Sequence, residues 1–285
     1  MSVDLTVLIL TKDEEVNLPY TLDNVVGWAS DVFILDSGSS DRTCEIAEEM
    51  GAQVFFNKFE NYAKQRNHAL DELPVETDWV MFLDADEYLT DELKQEIAET
   101  LPKATCDGFI MKRRFYFMGR WIRHGGYYPT EILRLFRHGK GRVKREINEH
   151  VEVDGVIERL EHDFVDHNRK GLFEWMEKHN RYSDMEAMQL LQAELLRELE
   201  NDEQLKGKLF GSQVEAKQWI RQRVWNRMLP PLVRPFMYYF YRYFLRAGFL
   251  DGKEGFIYHT LHGLMYRLLI DAKYIQKKYD TESSK

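Results

Sequence analysis

The first third of the chain alternates short apolar segments with amphipathic ones, and this alternation limits the possible folds more than any other feature. The apolar segments have the length and the β-rich composition of buried strands, and they cover residues 3–10, 31–36, 52–56 and 79–83. Helical periodicity separates or follows them, at residues 17–27, 41–51, 62–73 and 90–101. The pattern predicts an α/β fold with a mostly parallel central sheet and helices on both faces.

The loops that follow three of these strands are acidic. They are Thr11–Glu15, Asp36–Asp41 and Asp84–Glu87. Ligands of parallel sheets bind at the carboxyl ends of strands, so these loops are the predicted site. Glycine-rich sequences that cradle phosphates are absent. Asp84 and Asp86 place two carboxylates on one side of an extended segment, which suits Mg²⁺ or Mn²⁺ sharing its ligand shell with diphosphate oxygens. The alternative is a solvated acidic turn before the helix near Thr90.

The overall composition narrows the class of protein and its location. The formal net charge is −9, which argues against general binding of nucleic acid. Cys44 and Cys106 form neither a metal-binding spacing nor a disulfide framework, and they fit a reducing compartment. The sequence contains no apolar run of about 18 residues, and its first segment lacks the features of a secretory signal. We therefore expect a cytoplasmic protein.

Several motifs occur in an order that resembles a known family. The N-terminal ones are Leu8–Glu15, Asp36–Thr43, Gln65–Leu70 and Phe82–Glu87. Together they resemble family 2 of the inverting glycosyltransferases, which have the GT-A fold. Later motifs resemble the branch that contains lipopolysaccharide-core glucosyltransferases, and they are Phe117–Trp121, Gly126–Pro129, Arg134–Phe136, Asn148–Glu149, His179–Ser183 and Gly248–Gly255. The resemblance spans nearly the whole chain. Asp13 and Asn148 depart from it, since the family usually has Asn and often His at those places.

The resemblance implies a Rossmann-like GT-A domain that binds a nucleotide-sugar donor, with a UDP-sugar favoured. It assigns Thr11, Glu14 and Asp36 to the nucleoside pocket. It also assigns Asp84 to the donor and the metal, and Asp86 to the metal. The cofactor that it implies is a divalent cation, Mg²⁺ or Mn²⁺.

Four further side chains have assignments that stay open. An inverting transfer needs a base that takes the proton of the acceptor hydroxyl. The resemblance gives this role to Glu149, and Glu131, after the Tyr-Tyr-Pro turn, is the alternative. Arg66 is predicted to bind the donor, at its phosphate or its base, or else to pair with a nearby acid. His167 is a candidate third ligand of the catalytic metal.

The C-terminal part differs in composition, and we predict that it forms a helical appendage. The predicted division places the GT-A domain in residues 1–168 and the helical region in residues 169–285. Between Lys217 and Leu250 the chain has seven Lys or Arg residues, ten aromatic residues and no acid. This composition predicts contact with an anionic membrane surface, or else an aromatic oligomer interface. A last helix is predicted over residues 252–277.

These features predict a metal-dependent, inverting glycosyltransferase that is peripheral on the inner face of the cytoplasmic membrane. Its predicted acceptor is a lipid-linked glycan in cell-surface polysaccharide or lipopolysaccharide assembly. The basic and aromatic block from Arg113 to Arg145 fits a groove for a phosphorylated acceptor, or else a solvated surface. A polyprenyl-phosphate sugar transferase is the alternative enzyme. A membrane-associated scaffold with an inactive transferase fold is the alternative outside enzymes.

Overall fold

The structure is a computed structural model, and it describes residues 2–143, 151–199 and 229–283. The chain divides into two compact units. The first contains Met1–Arg123 and Tyr127–Lys170, and the second contains His124–Gly126 and Gly171–Lys285. The sequence predicted a division after residue 168, and the functions assigned to the two parts stay predictions.

Strands and helices alternate through the first half of the first unit, and mainly strands follow. The strands are β1 (Val3–Thr11), β2 (Ala29–Asp36), β3 (Gln53–Phe56), β4 (Trp79–Asp84), β5 (Glu87–Leu89), β6 (Gly108–Phe117), β7 (Arg120–Trp121), β8 (Thr130–Arg137), β9 (Gly141–Val143), β10 (Val151–Val153) and β11 (Ile157–Asp166). The helices are α1 (Leu18–Val25), α2 (Thr43–Glu49), α3 (Tyr62–Glu72) and α4 (Asp91–Thr100). The elements predicted for the first third are all present, with ends within two residues of those expected.

The central sheet is mixed, and its parallel half comes from the first third of the chain. The strand order is β3-β2-β1-β4-β8-β6-β11-β5, with β7 joined to β6. Strands β3, β2, β1 and β4 are parallel, whereas β8 is antiparallel to both β4 and β6. Strand β11 is parallel to β6 and antiparallel to β5, and β9 pairs with β10 in a separate ribbon. The predicted α/β class with a C-terminal helical region is confirmed.

Strand β1 is buried on both faces, as expected for the centre of a parallel sheet. Ile9 belongs to an apolar cluster that contains Leu22 of α1 and Ile97 of α4. Leu8, on the opposite face of the strand, belongs to a second cluster that contains Leu70 of α3. Helices therefore cover both faces of the sheet, and the loops after β1, β2 and β4 lie together at its carboxyl edge.

The second unit is helical in its described part. Its helices are α5 (Gly171–Leu199), α6 (Arg234–Phe240), α7 (Gly252–Tyr258) and α8 (Tyr266–Ser283). Wide π-type turns continue α6 over Tyr241–Leu245 and join α7 to α8 over His259–Met265. Helices α5 and α8 are joined by polar contacts, such as the 2.7 Å ion pair between Lys273 and Asp184. None of the described helices is both long enough and apolar enough to cross a membrane.

The helix predicted over residues 252–277 is observed as a continuous helical segment from Gly252 to Ser283, in which the turn over His259–Met265 is of the wide π type. The turn brings the rings of Tyr258, His262 and Tyr266 into one stack, with centroids 5.3 Å and 5.5 Å apart. These three residues are four positions apart in sequence, so they lie on one side of the helix. Residues 217–228 of the predicted membrane segment lie outside the described residues.

One cation that the sequence assigned to the membrane-contacting segment is instead buried. Arg234 is 7% exposed, and its Nε lies 2.8 Å and 2.9 Å from the two carboxylate oxygens of Asp271. Asp271, 2% exposed, also accepts a hydrogen bond from the backbone N–H of Leu232 at 2.8 Å. The pair joins α6 to α8, so Arg234 stabilises the second unit from inside and is not available to lipid.

Replacing Arg234 with Met should destabilise the second unit by about 3–5 kcal/mol, because Asp271 would be left buried without a counter-charge. The double change Arg234→Met with Asp271→Leu should recover much of that loss, since it leaves no unpaired charge. Urea unfolding followed by near-UV circular dichroism measures both effects. Arg246→Met, at an exposed position, is the control. Equal stability of Arg234→Met and the parent protein would contradict the structural role of this pair.

Candidate active site

The carboxyl ends of three neighbouring strands bring predicted donor-binding residues together. In the parallel ladders, Thr11 of β1 lies beside Asp36 of β2, and Leu10 lies beside Asp84 of β4. Neighbouring strands are about 4.8 Å apart, so these side chains belong to one edge of the sheet. The sequence placed each of them after an apolar strand, and the register shows that the strands are adjacent.

Asp36 closes the second loop and joins it to the first. Its carboxylate accepts hydrogen bonds from the Thr11 hydroxyl at 2.9 Å and from the backbone N–H groups of Gly38 and Ser39 at 2.7 Å and 2.8 Å. Burial raises the pKa of Asp36, but the bonds from Ser39, Thr11 and Gly38 outweigh it and hold the pKa below its ordinary value of 3.8. Asp36 is therefore an ionised carboxylate that orders the turn in which it lies.

Glu14 is held by the chain segment that follows β11. Its carboxylate accepts hydrogen bonds from Nζ of Lys170 at 2.8 Å and from the amide of Asn17 at 2.9 Å. Burial raises the pKa of Glu14, while Lys170 and Asn17 lower it in part. The backbone N–H of Arg169 also donates to Asn17, at 2.8 Å. Sequence reasoning missed Lys170 because 156 positions separate it from Glu14 and no local pattern connects them.

Asp84 is held between two arginines. Nη2 of Arg66 donates to one carboxylate oxygen at 2.9 Å, and Nη2 of Arg134 donates to the other at 2.7 Å. The same nitrogen of Arg134 reaches Glu87 at 2.6 Å, and Glu87 accepts the backbone N–H of Asp84 at 2.9 Å. Arg66 therefore pairs with an acid, which is one of its two predicted roles. Its contact with a donor stays a prediction.

Arg134 and Glu87 lie buried beneath Asp84, with exposed fractions of 6% and 1%. Burial raises the pKa of Glu87, with Arg134 opposing the shift and Asp84 adding to it. Burial also disfavours the charged form of Arg134, but the carboxylates of Asp84 and Glu87 outweigh burial and raise its pKa. The sequence showed Arg134 as part of a family motif and of the basic block, without a partner. A lone arginine between apolar residues of strand β8 was the available signal for a buried partner.

Asp86, unlike Asp84, is held by a neutral side chain. It accepts a hydrogen bond from the amide of Asn168 at 3.0 Å, and its backbone carbonyl accepts the N–H of His167 at 2.9 Å. Burial lowers the pKa of His167 and the charge of Arg169 lowers it further, while Asp86 raises it in part. The net shift is downward, so the imidazole of His167 is neutral near pH 7. The segment after β11 therefore positions Asp86. The sequence connected this segment with the metal through His167 but did not reveal the contact of Asn168.

The carboxylates of Asp84 and Asp86 fit a hard divalent cation by the chemistry of their oxygen atoms. Within residues 2–143, 151–199 and 229–283, no group of three or more His, Cys, Asp or Glu side chains is arranged to hold a metal ion. His167 therefore does not complete a three-ligand protein site, although it adjoins Asp86. An ion here would need donor or water oxygens for the rest of its shell.

The arginines of the basic block are largely engaged with acids of the first unit. The observed ion pairs are Arg113 with Asp166 at 3.1 Å, Arg114 with Asp163 at 2.6 Å, and Arg142 with Asp71 at 2.5 Å. Arg137 donates to two backbone carbonyls, and Arg134 holds the acids described above. These described members of the block therefore serve the sheet itself, and sequence composition did not reveal their partners.

Of the two candidate catalytic bases, Glu149 and Glu131, the described residues include Glu131 alone. Glu149 lies outside the described residues, as do Lys144 and Arg145, so its role stays a prediction. Glu131 is the second residue of strand β8 and forms a 3.4 Å ion pair with Arg159, which is itself 67% exposed. Solvent screens such a pair, so it does not tie Glu131 to a structural role.

Comparison with known proteins gives the family. The profile described as Glycosyl transferase family 2 matches residues 6–178. An uncharacterized glycosyltransferase of Rickettsia bellii is 32% identical over 106 residues, which cover 37% of this chain and 35% of that protein. Another uncharacterized glycosyltransferase, of Rickettsia typhi, is 26% identical over 164 residues, which cover 56% of this chain and 55% of that protein. The chain thus spans between about a third and just over half the length of these relatives. A solved structure of S. aureus TarS 1–349 is similar with 13% identity and a TM-score of 0.47, covering 99% of this chain and 92% of that one.

Replacing Asp36 with Asn should destabilise the first unit by about 1.5–3 kcal/mol at neutral pH, because it removes charge-assisted hydrogen bonds. The folded pKa of Asp36 lies below the ordinary value of 3.8, so its contribution is present above pH 3.8 and is lost as the pH falls through the folded value. The difference between parent and variant should therefore shrink in acid. Chemical unfolding at neutral pH and below pH 3.8 measures this, with the exposed Asp23→Asn as control. A difference that does not change with pH would refute it.

Proposed function

Because the chain belongs to glycosyl transferase family 2, we propose that it is an inverting transferase that moves a hexose from a nucleotide-sugar to a lipid-linked glycan. The observation that carries this proposal is the convergence of Thr11, Asp36 and Asp84 at one edge of the sheet. That edge combines hydrogen-bond acceptors for a nucleoside with carboxylates for a cation, where α/β sheets bind their ligands. The favoured donor is a UDP-sugar, and the proposed process is cell-surface polysaccharide or lipopolysaccharide assembly.

The proposal gives each side chain at this edge a task. Thr11, Glu14 and Asp36 line the nucleoside pocket, and Lys170 holds Glu14 in place. Asp84 and Asp86 hold Mg²⁺ or Mn²⁺, which when bound would neutralise charge on the departing diphosphate. Further residues orient these carboxylates, as outer-shell groups do around metal ligands. They are Arg66 and Arg134 at Asp84, and Asn168 at Asp86.

The proposed chemistry is a single displacement at the anomeric carbon. The acceptor oxygen forms a bond to that carbon as the bond to the donor diphosphate breaks, and the configuration inverts. A carboxylate on the acceptor side takes the hydroxyl proton, and we assign this role to Glu149, with Glu131 as the alternative.

A lipid-linked acceptor confines the reaction to a membrane surface. The proposal therefore includes a peripheral location on the inner face of the cytoplasmic membrane. This location rests on the expected acceptor and on the apolar and basic composition of the C-terminal part.

Replacing Asp86 with Asn should abolish most turnover while the fold stays intact, because it removes an anionic ligand of the proposed cation. Loss of a group that only orients a metal ligand typically costs about 10–100-fold, and loss of a ligand should cost at least as much. Excess chelator should have the same effect on the parent protein, and Mg²⁺ or Mn²⁺ should reverse it. Donor hydrolysis and transfer measure the effect, with Asp23→Asn as the charge-matched control. Full activity of the parent protein in chelator would show that the metal role is wrong.

Replacing Glu149 with Gln should slow transfer by about 10²–10⁴-fold while donor affinity is retained, because Gln has nearly the same shape but cannot accept the proton. Single-turnover transfer and donor binding by calorimetry separate the two effects. Glu131→Gln is the matched comparison. If Glu149→Gln is nearly as active as the parent and Glu131→Gln is inactive, Glu131 is the base.

A further inference from the structure

Helix α6 and the wide turn that continues it carry a stripe of exposed apolar side chains. Six residues define this apolar stripe: Phe236, Met237, Phe240, Tyr241, Phe244 and Leu245. Each is between 42% and 68% exposed. Isolated exposed apolar residues are ordinary in folded proteins, but a contiguous group of large ones marks an interaction surface.

The spacing of the stripe shows that it is one side of a helical segment. Its members recur as adjacent pairs every four residues, which keeps them on one side. The opposite side is already packed within the second unit. There the ring of Tyr243 meets that of His259 edge-on, with centroids 5.8 Å apart, and the guanidinium of Arg267 lies 5.2 Å from the ring centroid of Tyr238. The exposed side is therefore not needed to complete this packing.

The charge around the stripe favours a lipid surface. The sequence has no Asp or Glu from Leu229 to Leu250. Arg246 is exposed at the end of the stripe, whereas Arg234 is buried on Asp271. Aromatic rings beside an arginine suit the boundary between acyl chains and phosphate headgroups. Because only part of the cationic charge is exposed, insertion of the apolar side chains should contribute most of the binding free energy. Attraction to anionic lipid should contribute a smaller part.

We propose that the apolar stripe inserts into the headgroup boundary of an anionic phospholipid membrane, with Arg246 contacting lipid phosphate. The proposed function includes a peripheral location on the membrane, and the apolar stripe names the residues that would make that contact. Its geometry is that of a helix lying along the interface, consistent with the finding that none of the described helices suits a span. The binding itself does not depend on catalysis, so the two proposals fail separately.

The test uses the full chain and vesicles of phosphatidylcholine, with and without phosphatidylglycerol. The parent protein should sediment with both, and more strongly with the anionic vesicles. The double variant Phe240→Glu with Leu245→Glu should bind the anionic vesicles about a hundredfold more weakly, since it loses two inserted side chains and adds two like charges. Tyr279→Glu, at a 69% exposed position of α8, is the matched control and should bind as the parent does.

Hydrogen exchange on the parent protein tests the same surface without any substitution. Amides of residues 236–250 should exchange more slowly when anionic vesicles are present. Circular dichroism and hydrolysis of a soluble nucleotide-sugar should be unchanged in the double variant, which separates loss of membrane binding from loss of the proposed activity. The proposal is overturned if the parent ignores anionic vesicles, or if residues 236–250 exchange equally with and without them. It is also overturned if the parent is a dimer that the double variant dissociates.

Discussion

The carboxyl edge of the sheet in the first unit depends on one buried guanidinium. Arg134 is shared between Asp84 and Glu87, at 2.7 Å and 2.6 Å. Three acids within four positions, Asp84, Asp86 and Glu87, would repel one another at the end of a buried strand. Arg134 offsets that repulsion from β8, the antiparallel neighbour of β4. The antiparallel half of the sheet therefore supplies the charge that lets the parallel half gather its carboxylates.

This arrangement makes the two aspartates unequal in their proposed role as metal ligands. Both oxygens of Asp84 already meet guanidinium groups, whereas the carboxylate of Asp86 meets the neutral amide of Asn168. A cation arriving alone would face the positive charge of Arg66 and Arg134. A diphosphate arriving with it adds negative charge and oxygen ligands, which Mg²⁺ and Mn²⁺ prefer. If the proposed function is correct, the charge balance of the site would therefore favour joint binding of cation and donor over binding of the cation first.

The sequence predicted features that are encoded locally and missed those that depend on distant partners. Strand and helix periodicity is local, so the elements of the first third and the α/β class were predicted well. Family motifs gave the family, whereas the branch, the inverting mechanism and the base Glu149 stay predictions. The contact between Arg134 and Glu87 spans 47 positions, and that between Lys170 and Glu14 spans 156. Without a register for β8 and β11, no spacing rule connects such pairs.

The membrane prediction shows why composition alone assigns residues to the wrong surface. Composition gives the number of aromatic and cationic residues in a segment, whereas their spacing along the helix determines which of them are exposed to solvent. In α6 it turns Arg234 toward Asp271 and turns Phe236 and Phe240 outward. The second unit is already joined internally by buried and half-buried ion pairs such as Arg234 with Asp271 and Lys278 with Glu194. The exposed rings carry a solvation cost in water, which the proposed membrane contact would remove.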